Sequence, residues 1–397
     1  MNLSIKDPSI LDELGPEKII LLRDPSVGMK GILVIDNTAI GWPAGGIRMA
    51  PDITVEEMAR LARAMTYKFA SYRLKVGGAK SGIMADPLSE KKDLLIASFA
   101  EAIKTYILED KYVCGPDMGT YDRDVERIFN IIGKPGLAPK PLGMEKNGFP
   151  VEILYTGYGV CYCIEAIYNY LKSKGKFEEN QKPKIILEGF GKVGIGIAMS
   201  LKELRYTLNG ISTIKGGIFD EDGLDLDKLL DLKLKYGDDL VNQYESKNLV
   251  KIQKEKLFEL SSDYPTDFII PGTRPDIINR NNIDKIDVKA IVPAANIPYE
   301  KGITNNLKEK GIIDFPDFVA NAGEVLAIGV NKIAKNPDDI FDFVRSKIND
   351  KAMEIIRGAI DNNLSAYDYA ISDALNYVKK YLNRRTKRII KLNKRYQ

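Results

Sequence analysis

The sequence has no histidine among its 397 residues. Imidazole is the usual base of serine and cysteine catalytic triads and a common zinc ligand, so its absence excludes those sites. Cysteine is scarce too: Cys114, Cys161 and Cys163 are odd in number and two lie one residue apart, which fits neither a disulfide framework nor a zinc site. We therefore expect reduced thiols, no metal site, and proton transfer by Lys, Asp, Glu, Tyr or Cys.

Long apolar runs and a strong net charge are also absent. No stretch approaches the roughly 18 apolar residues of a membrane span, and the first residues lack the basic region and apolar run of a secretory signal. With 58 basic and 55 acidic side chains the net charge is +3, which indicates no polyanionic partner. We expect a globular, cytoplasmic, non-membrane protein, and the length predicts two domains with a helical extension.

Apolar spacing in the first third predicts both strands and helices. A short apolar run predicts a strand over residues 29–36, and the paired glycines Gly45 and Gly46 predict a turn. A capping-box pattern from Thr54 predicts a helix that ends near Ser71. Two more helices are expected, over residues 93–110 and 125–132.

The second region has the alternation of strands and helices that gives a mostly parallel sheet, so the expected fold class is α/β. After a helix at 157–172, the strand-like runs are 185–187, 211–214, 268–270 and 290–292. The residues from 338 onward are helical in character. We predict domains at 1–150 and 151–335, followed by a C-terminal helical segment at 336–397.

A glycine-rich segment follows the first strand-like run of the second region, the context of a dinucleotide-binding fingerprint. Gly189 would permit the tight turn, Gly191 would let the backbone approach a pyrophosphate, and Gly194 would allow close helix packing. Lys192 and Val193 complete this set of cofactor-binding candidates. The alternative is a strand-to-helix turn that binds nothing.

The choice between NAD and NADP depends on the residues that follow the next strand. An acidic residue there, roughly twenty positions on, commonly holds the ribose hydroxyl of NAD. The window with Ser212, Thr213 and Lys215 has no acid before Asp220. A neutral strand end beside a lysine would tolerate a 2'-phosphate, so we expect NADP, alone or with NAD. The alternative is that Lys215 is a solvated turn residue.

Two lysines and an aspartate stand out in the first domain. Lys68 falls on the apolar stripe of its predicted helix and needs an anion there, unless its stem reaches water at the helix end. Lys80 lies between glycines, where desolvation would make it a neutral base; the alternative is a solvated lysine in a flexible turn. Asp117 follows Gly115 and Pro116 and, taken alone, is a turn residue.

Seven segments resemble, in order, the motifs of the glutamate, leucine, phenylalanine and valine dehydrogenase family. They are GGIR from Gly45, GGAKSG from Gly77, GPDMG from Gly115, TGYG from Thr156, GFGKVG from Gly189, PAAN from Pro293 and PDFVANAG from Pro316. The resemblance covers residues from about 20 to 340.

The resemblance implies an NAD(P)-dependent enzyme that interconverts an L-amino acid with its 2-oxo acid and ammonia. It implies a substrate-binding domain that builds a homo-oligomer of hexamer type, and a Rossmann-type domain for the dinucleotide. In the family, the lysine matching Lys68 binds the substrate α-carboxylate, the lysine matching Lys80 is catalytic, and the aspartate matching Asp117 handles the amino-group proton. Further matches line the substrate and nicotinamide cleft: Gly46, Thr156, Asn296 and Asn321.

Two positions depart from glutamate-specific members of the family. Those usually carry a lysine where this chain has Ala44, and a serine where we align Ile328. Both changes remove polar partners, and an unpaired buried carboxylate costs roughly 3 to 5 kcal/mol. We therefore expect a branched or aromatic substrate. Glutamate is the alternative, because Arg48, Arg73 or Lys75 could supply the missing charge.

Functions of other classes stay open. A catalytically silent nucleotide-binding relative need not keep Lys68, Lys80 and Asp117 together, and all three are present. The basic run at 384–388 could contact nucleic acid, but one such run on a near-neutral protein is weak support for it. A helix face that packs or is solvated is the alternative.

Overall fold

The computed structural model describes residues 5–138, 140–331 and 333–393. Contacts between residues divide the chain into two units: unit 1 runs to Lys140 and resumes at Ile371, and unit 2 is Pro141–Ala370. From the sequence we expected a boundary at 150 and a separate segment from 336. By these contacts, the part of that segment up to Ala370 belongs to unit 2 and the part from Ile371 belongs to unit 1.

Unit 1 is built around a five-stranded sheet. Its strands are β1 (Lys18–Asp24), β2 (Met29–Asn37), β3 (Pro43–Met49), β4 (Gly77–Ile83) and β5 (Val113–Pro116). Its helices are α1 (Val55–Ser71), α2 (Lys92–Leu108) and α3 (Asp122–Ile131). The strand order is β1-β2-β4-β3-β5; β3 is parallel to β4 and β5, and β2 is antiparallel to β1 and β4. These elements confirm the predicted strand at 29–36 and the three predicted helices.

Helix α1 begins where the capping pattern predicts. Thr54 Oγ1 accepts the N–H of Glu57 at 3.1 Å, which satisfies one backbone donor of the first turn. The Glu57 carboxylate binds the guanidinium of Arg48 in β3, so α1 is tied to the sheet at its first turn.

The glycine-rich segments at 45–46 and 77–82 are strands, which corrects the predicted turn at Gly45 and Gly46 and rules out a flexible turn around Lys80. The reason is close packing. A Cβ on Gly45 would overlap the carbonyl oxygen of Ala79 in β4, and one on Gly78 would overlap the backbone of α1. Glycine is needed here so that sheet and helix can approach each other.

Unit 2 contains the strands and helices of the second region. The strands are β6 (Glu145–Lys146), β7 (Phe149–Pro150), β8 (Lys184–Leu187), β9 (Thr207–Thr213), β10 (Gly216–Phe219), β11 (Val250–Ile252), β12 (Phe268–Ile270), β13 (Ala290–Ile291) and β14 (Ile313–Asp314). The helices are α4 (Tyr155–Ser173), α5 (Lys192–Leu204), α6 (Leu226–Tyr236), α7 (Leu240–Gln243), α8 (Thr304–Glu309), α9 (Asp317–Ala320), α10 (Gly323–Val330) and α11 (Pro337–Asp361). The four strand-like runs expected from the sequence are all present.

The main sheet of unit 2 has seven strands in the order β11-β10-β9-β8-β12-β13-β14. Strands β9, β8, β12, β13 and β14 are mutually parallel, and only β10 within this sheet runs against its neighbours. The predicted mostly parallel sheet is confirmed. The chain order reverses between β8 and β12, and ligands of such sheets bind at the carboxyl ends of the strands that flank this switch point.

The last helix, α12 (Ala366–Asn393), starts in unit 2 and continues into unit 1. Within unit 1 it is tied down by ion pairs from Arg73 to Asp373 and from Arg385 to Glu17. The basic run therefore lies on a helix that partly packs, and its far end exposes Ile389 and Ile390. Within the described ranges, no helix is long and apolar enough to cross a membrane.

Gly45→Ala should destabilise unit 1, because the added methyl would overlap the Ala79 carbonyl and force β3 and β4 apart. We expect a loss of unfolding free energy of about 2 kcal/mol or more, measured by urea or thermal unfolding. Gly115→Ala is the matched control in β5, where a Cβ would meet no atom within 4 Å. Equal stability of the two variants would contradict the packing argument.

Candidate active site

Four charged side chains form one cluster in unit 1. Lys80 Nζ and Arg48 Nε each lie 2.9 Å from Asp117 Oδ2, and Arg48 Nη1 lies 2.5 Å from Glu57 Oε1. The Lys80 side chain is only 4% exposed, and that of Arg48 only 7%. Two cations and two anions balance, which is the condition for keeping such charges out of water.

The sheet brings the cluster together. Alternate residues of a strand share one face, so Ala44, Gly46 and Arg48 of β3 lie in a row. The register that pairs Ala44 with Gly78 and Ile47 with Ser81 puts Lys80 beside Gly46. A Cβ on Gly46 would come within 2.9 Å of the Asp117 Cβ, so a glycine there leaves room for the aspartate.

A second buried ion pair holds the turn that carries Asp117. Lys92 Nζ lies 2.8 Å from Asp124 Oδ2 and donates to the carbonyl of Gly119 at 3.0 Å. Thr120 Oγ1 accepts the Asp117 N–H at 3.0 Å and donates to Ile47 O at 2.6 Å. The carboxylate of Asp117 is thus positioned from both sides of its turn.

The cluster shifts the proton affinities of its own members. Burial lowers the pKa of the Lys80 amine below its ordinary value; Asp117 opposes this shift and Arg48 adds to it. Burial alone would raise the pKa of the Asp117 carboxyl, but Lys80 and Arg48 together hold it well below its usual range. Asp117 therefore stays ionised, and Lys80 has more neutral amine near pH 7 than a solvated lysine has.

The other candidates of unit 1 lie on the same elements. Lys68 is buried in α1, the helix that packs on β4, so its head group does not reach bulk water as a solvated lysine would. Ala44 is half-buried in β3. Ile328 belongs to unit 2, on α10, where it is 63% exposed.

The glycine turn after β8 fits a pyrophosphate. Gly189 has φ of +89°, which favours glycine, and Gly194 packs against the carbonyl oxygen of Gly189. A Cβ on Gly191 would meet nothing within 4 Å, so the space that the turn needs for a ligand is open. Helix α5 begins at Lys192 and continues through Val193, and its first N–H groups are the donors that an anion requires.

The hydroxyls at the end of β9 bond within the protein. Ser212 Oγ accepts the N–H of Gly189 at 3.2 Å, and Thr213 Oγ1 donates to Asp238 O at 2.8 Å. Ser212 thereby shapes the glycine turn. Lys215 is exposed in the tight turn between β9 and β10.

Two further candidates of unit 2, Asn296 and Asn321, are hydrogen-bonded to each other, and Thr156 lies beside Gly323. Asn321 Nδ2 donates to Asn296 Oδ1 at 2.9 Å and to Ala294 O at 3.1 Å. Gly323, two residues on, packs so tightly on the backbone of α4 that a Cβ there would come within 3.3 Å of the Thr156 Cα.

A buried aspartate supports this group. Ile297, next to Asn296, has φ of +48°, a strained value for a β-branched residue. The Asp317 carboxylate accepts its N–H at 2.8 Å, and Asp317 is fully buried. The strained backbone is thus fixed beside the amide pair.

Sequence reasoning missed several residues of these groups. It considered Arg48 only as a cation for the substrate side chain, and it did not single out Glu57, Lys92 or Asp317 as site residues. Arg48 lies within the GGIR motif and Asp317 within PDFVANAG, so their place in motifs was a usable signal. Nothing in the sequence pairs Lys92 with the turn of Asp117, because the contact depends on tertiary packing.

Comparison with known proteins decides the family. The model for the Glu/Leu/Phe/Val dehydrogenase dimerisation domain matches residues 16–133, and the model for Glutamate/Leucine/Phenylalanine/Valine dehydrogenase matches residues 148–392. The chain belongs to the glutamate/leucine/phenylalanine/valine dehydrogenase family. It is therefore an NAD(P)-dependent amino-acid dehydrogenase, as its motifs predicted, and its matched dimerisation domain supports an oligomer.

Two curated relatives in this family differ in cofactor. The chain is 32% identical over 329 residues to the NADP-specific glutamate dehydrogenase of Saccharolobus shibatae, covering 78% of this chain and 74% of that one. It is 29% identical over 335 residues to the NAD-specific glutamate dehydrogenase of Staphylococcus aureus, covering 82% and 77%.

Solved structures share the family fold. The hetero-hexameric glutamate dehydrogenase of Thermus thermophilus, in a leucine-bound form, has a TM-score of 0.79 at 22% identity and covers 96% of this chain and 93% of its own. L-tryptophan dehydrogenase of Nostoc punctiforme has a TM-score of 0.63 at 23% identity, with coverage of 94% and 98%. The names of the relatives support the glutamate alternative better than the expected branched or aromatic substrate.

Arg48→Gln should move the pH dependence of the dehydrogenase reaction to higher pH. Arg48 lowers the pKa of Lys80, so its removal raises that pKa and the neutral amine appears only at higher pH. The rising limb of kcat/KM against pH reports the change.

Glu57→Gln is the matched variant with the opposite sign. Glu57 raises the pKa of Lys80, so the same limb should move to lower pH. Circular dichroism establishes that both variants fold. Two folded variants with unchanged limbs, or with limbs that move the same way, would refute the electrostatic account.

Proposed function

We propose that this chain catalyses the reversible NAD(P)-dependent oxidative deamination of an L-amino acid to its 2-oxo acid and ammonia. The observation that carries the proposal is the buried pair of Lys80 and Asp117, 2.9 Å apart, in which burial depresses the pKa of the lysine. The lowered pKa increases the fraction of Lys80 that is neutral amine, and a neutral amine beside an ionised carboxylate is suited to activate water next to a reacting carbon. A silent nucleotide-binding homologue would not need this pair.

The residues of unit 1 have separate roles in the proposed reaction. The nicotinamide supplies the acceptor for the substrate hydride when bound. Lys68 binds the α-carboxylate and so orients the Cα hydrogen. Lys80 takes a proton from the water that attacks the iminium carbon of the substrate. Asp117 keeps Lys80 in place through Oδ2, and it carries a proton only transiently, as the proton passes from Lys80 to the departing amine.

In unit 2, Gly189, Gly191 and the start of α5 would hold the pyrophosphate, with Ser212 bracing the turn. Asn296, Asn321 and Thr156 would line the nicotinamide side. We assign substrate binding and oligomer contacts to unit 1 and the dinucleotide to unit 2. The oligomer is proposed to be of hexamer type, as the hexameric Thermus thermophilus structure suggests. The end of β9 and the turn after it carry no acidic residue before Asp220, which favours NADP over NAD.

Glutamate is the first candidate substrate, because relatives that align over three quarters of the chain are named glutamate dehydrogenases. A non-acidic amino acid is the second candidate, and the structure provides a specific observation for it. Arg48 is engaged with Asp117 and Glu57, and Arg73 with Asp373. Of the three cations that could replace the lysine missing at Ala44, this leaves Lys75.

Initial rates with glutamate, leucine, valine, phenylalanine, tryptophan and alanine test the function directly. Each is measured with NAD and with NADP through the absorbance of the reduced cofactor. We expect turnover of at least one of these amino acids. Absence of turnover across the panel by a folded protein that binds the dinucleotide would favour the silent homologue.

Ala44→Lys separates the two substrate candidates. If the native substrate is apolar, the new ammonium supplies the missing partner and should raise kcat/KM for glutamate relative to leucine on the order of tenfold or more. If glutamate is native, another cation already meets its side chain and the ratio should not rise. Ala44→Met, which adds similar bulk without charge, is the control.

Lys80→Ala should lower kcat by a factor of about 1000 or more, because both the base and the partner of Asp117 are lost. Binding of the reduced cofactor, followed by its fluorescence, should persist, because Lys80 lies in unit 1. Substantial activity of the variant would remove Lys80 from the mechanism.

A further inference from the structure

A glutamate occupies the switch point of the seven-stranded sheet. Glu188 is the first residue after β8 and directly precedes Gly189. Strand β12 lies beside β8, and the loop that follows β12 carries Gly272 and Thr273. The two loops leave neighbouring strands at the carboxyl edge, where a dinucleotide is expected to cross the sheet.

The Glu188 side chain bridges these two loops. Its Oε2 accepts the N–H of Gly272 at 3.1 Å, and its Oε1 accepts a short hydrogen bond from the Thr273 hydroxyl. Glu188 is only 8% exposed. The bridge is therefore a buried, fixed part of the carboxyl edge of the sheet at the switch point.

The glycine turn lies directly against this bridge. A Cβ on Gly189 would come within 2.7 Å of Thr273 Cγ2 and 3.3 Å of Gly272 O, so the turn and the second loop are in contact. An anion on the turn would therefore lie next to the loop whose Gly272 and Thr273 bind the Glu188 carboxyl. Two negative charges at short range in a water-poor site repel each other strongly.

We infer that Glu188 is a positioning residue that couples cofactor binding to proton uptake: it ties the two loops together and accepts a proton when the pyrophosphate binds. This rests on the proposed function, since it assumes that the turn holds a dinucleotide. Nothing in the catalytic cluster of unit 1 takes part in it.

The surroundings of Glu188 favour its protonated form more than water does. Burial raises the pKa of the Glu188 carboxyl, while the Thr273 hydroxyl, the N–H groups of Gly272 and Thr273, and the charge of Lys254 oppose this shift. An added phosphate charge raises the pKa further. As pH rises and the carboxyl ionises, the affinity for the dinucleotide should fall.

Glu188→Gln tests the charge without losing the bridge, because its carbonyl can accept from Gly272 and its amide can donate to Thr273. Titration calorimetry with NADPH and NADH, in buffers of different ionisation enthalpy, counts the protons taken up on binding. We expect wild type to take up more protons than the variant. At pH 8 the variant should bind roughly threefold to tenfold more tightly, and its affinity should depend less on pH.

Thr273→Val gives a prediction of its own. It keeps the Cγ2 that packs on Gly189 but removes a donor to the carboxylate, so the protonated form should persist to higher pH. Its affinity at neutral pH should exceed that of wild type.

Equal proton uptake and equal affinity in wild type and Glu188→Gln would overturn the inference while leaving the dehydrogenase function intact. Failure of wild type to bind either dinucleotide would instead refute the proposed function. The binding readout therefore distinguishes the two failures.

Discussion

The buried ion pair between Lys80 and Asp117 is the interaction on which unit 1 is organised. A lysine amine at this depth loses nearly all of its hydration, which costs several kcal/mol unless a counter-charge with good geometry replaces the water. Asp117 Oδ2 provides that charge at 2.9 Å, but it also binds Arg48 at the same distance. Arg48 in turn is paired with Glu57. The burial of each of these four charges is therefore compensated only when all four side chains are in place.

This demand explains why the site is carried by strands and small residues. Neighbouring strands are rigid, so they hold the side chains of β3 and β4 to within roughly 0.5 Å of the required positions, more precisely than a loop does. Gly45 and Gly46 provide the space: the first lets β3 lie against β4, and the second makes room for the Asp117 side chain. Lys92 and Thr120 then fix the turn that carries the aspartate. Packing and electrostatics therefore support the same arrangement.

Local patterns in the sequence predicted the parts of the fold that local physics determines. Helix α1 was predictable because its cap and its apolar spacing lie within one segment, and the parallel sheet of unit 2 followed from the alternation of its elements. The paired glycines were misjudged as a turn, because a glycine demanded by a neighbouring strand has the same local sequence as one demanded by a turn. The contact between Arg48 and Asp117 was not predicted either, since the two residues lie 69 positions apart along the chain and only tertiary packing pairs them.

The proposed site residues fall into two groups, those assigned to the reaction and those assigned to the substrate side chain, and family membership informs the two groups differently. Lys80, Asp117 and Lys68 are assigned to the amine, water and α-carboxylate, which every amino acid shares, whereas Ala44 and Ile328 are assigned to the side chain. Lys80 and Asp117 belong to a neutral, buried network, so a change in either of them leaves an unpaired charge and costs several kcal/mol. Ala44 carries no charge and takes no part in this network. Family membership therefore establishes the dehydrogenase class, while the side-chain preference depends on positions outside the charged cluster.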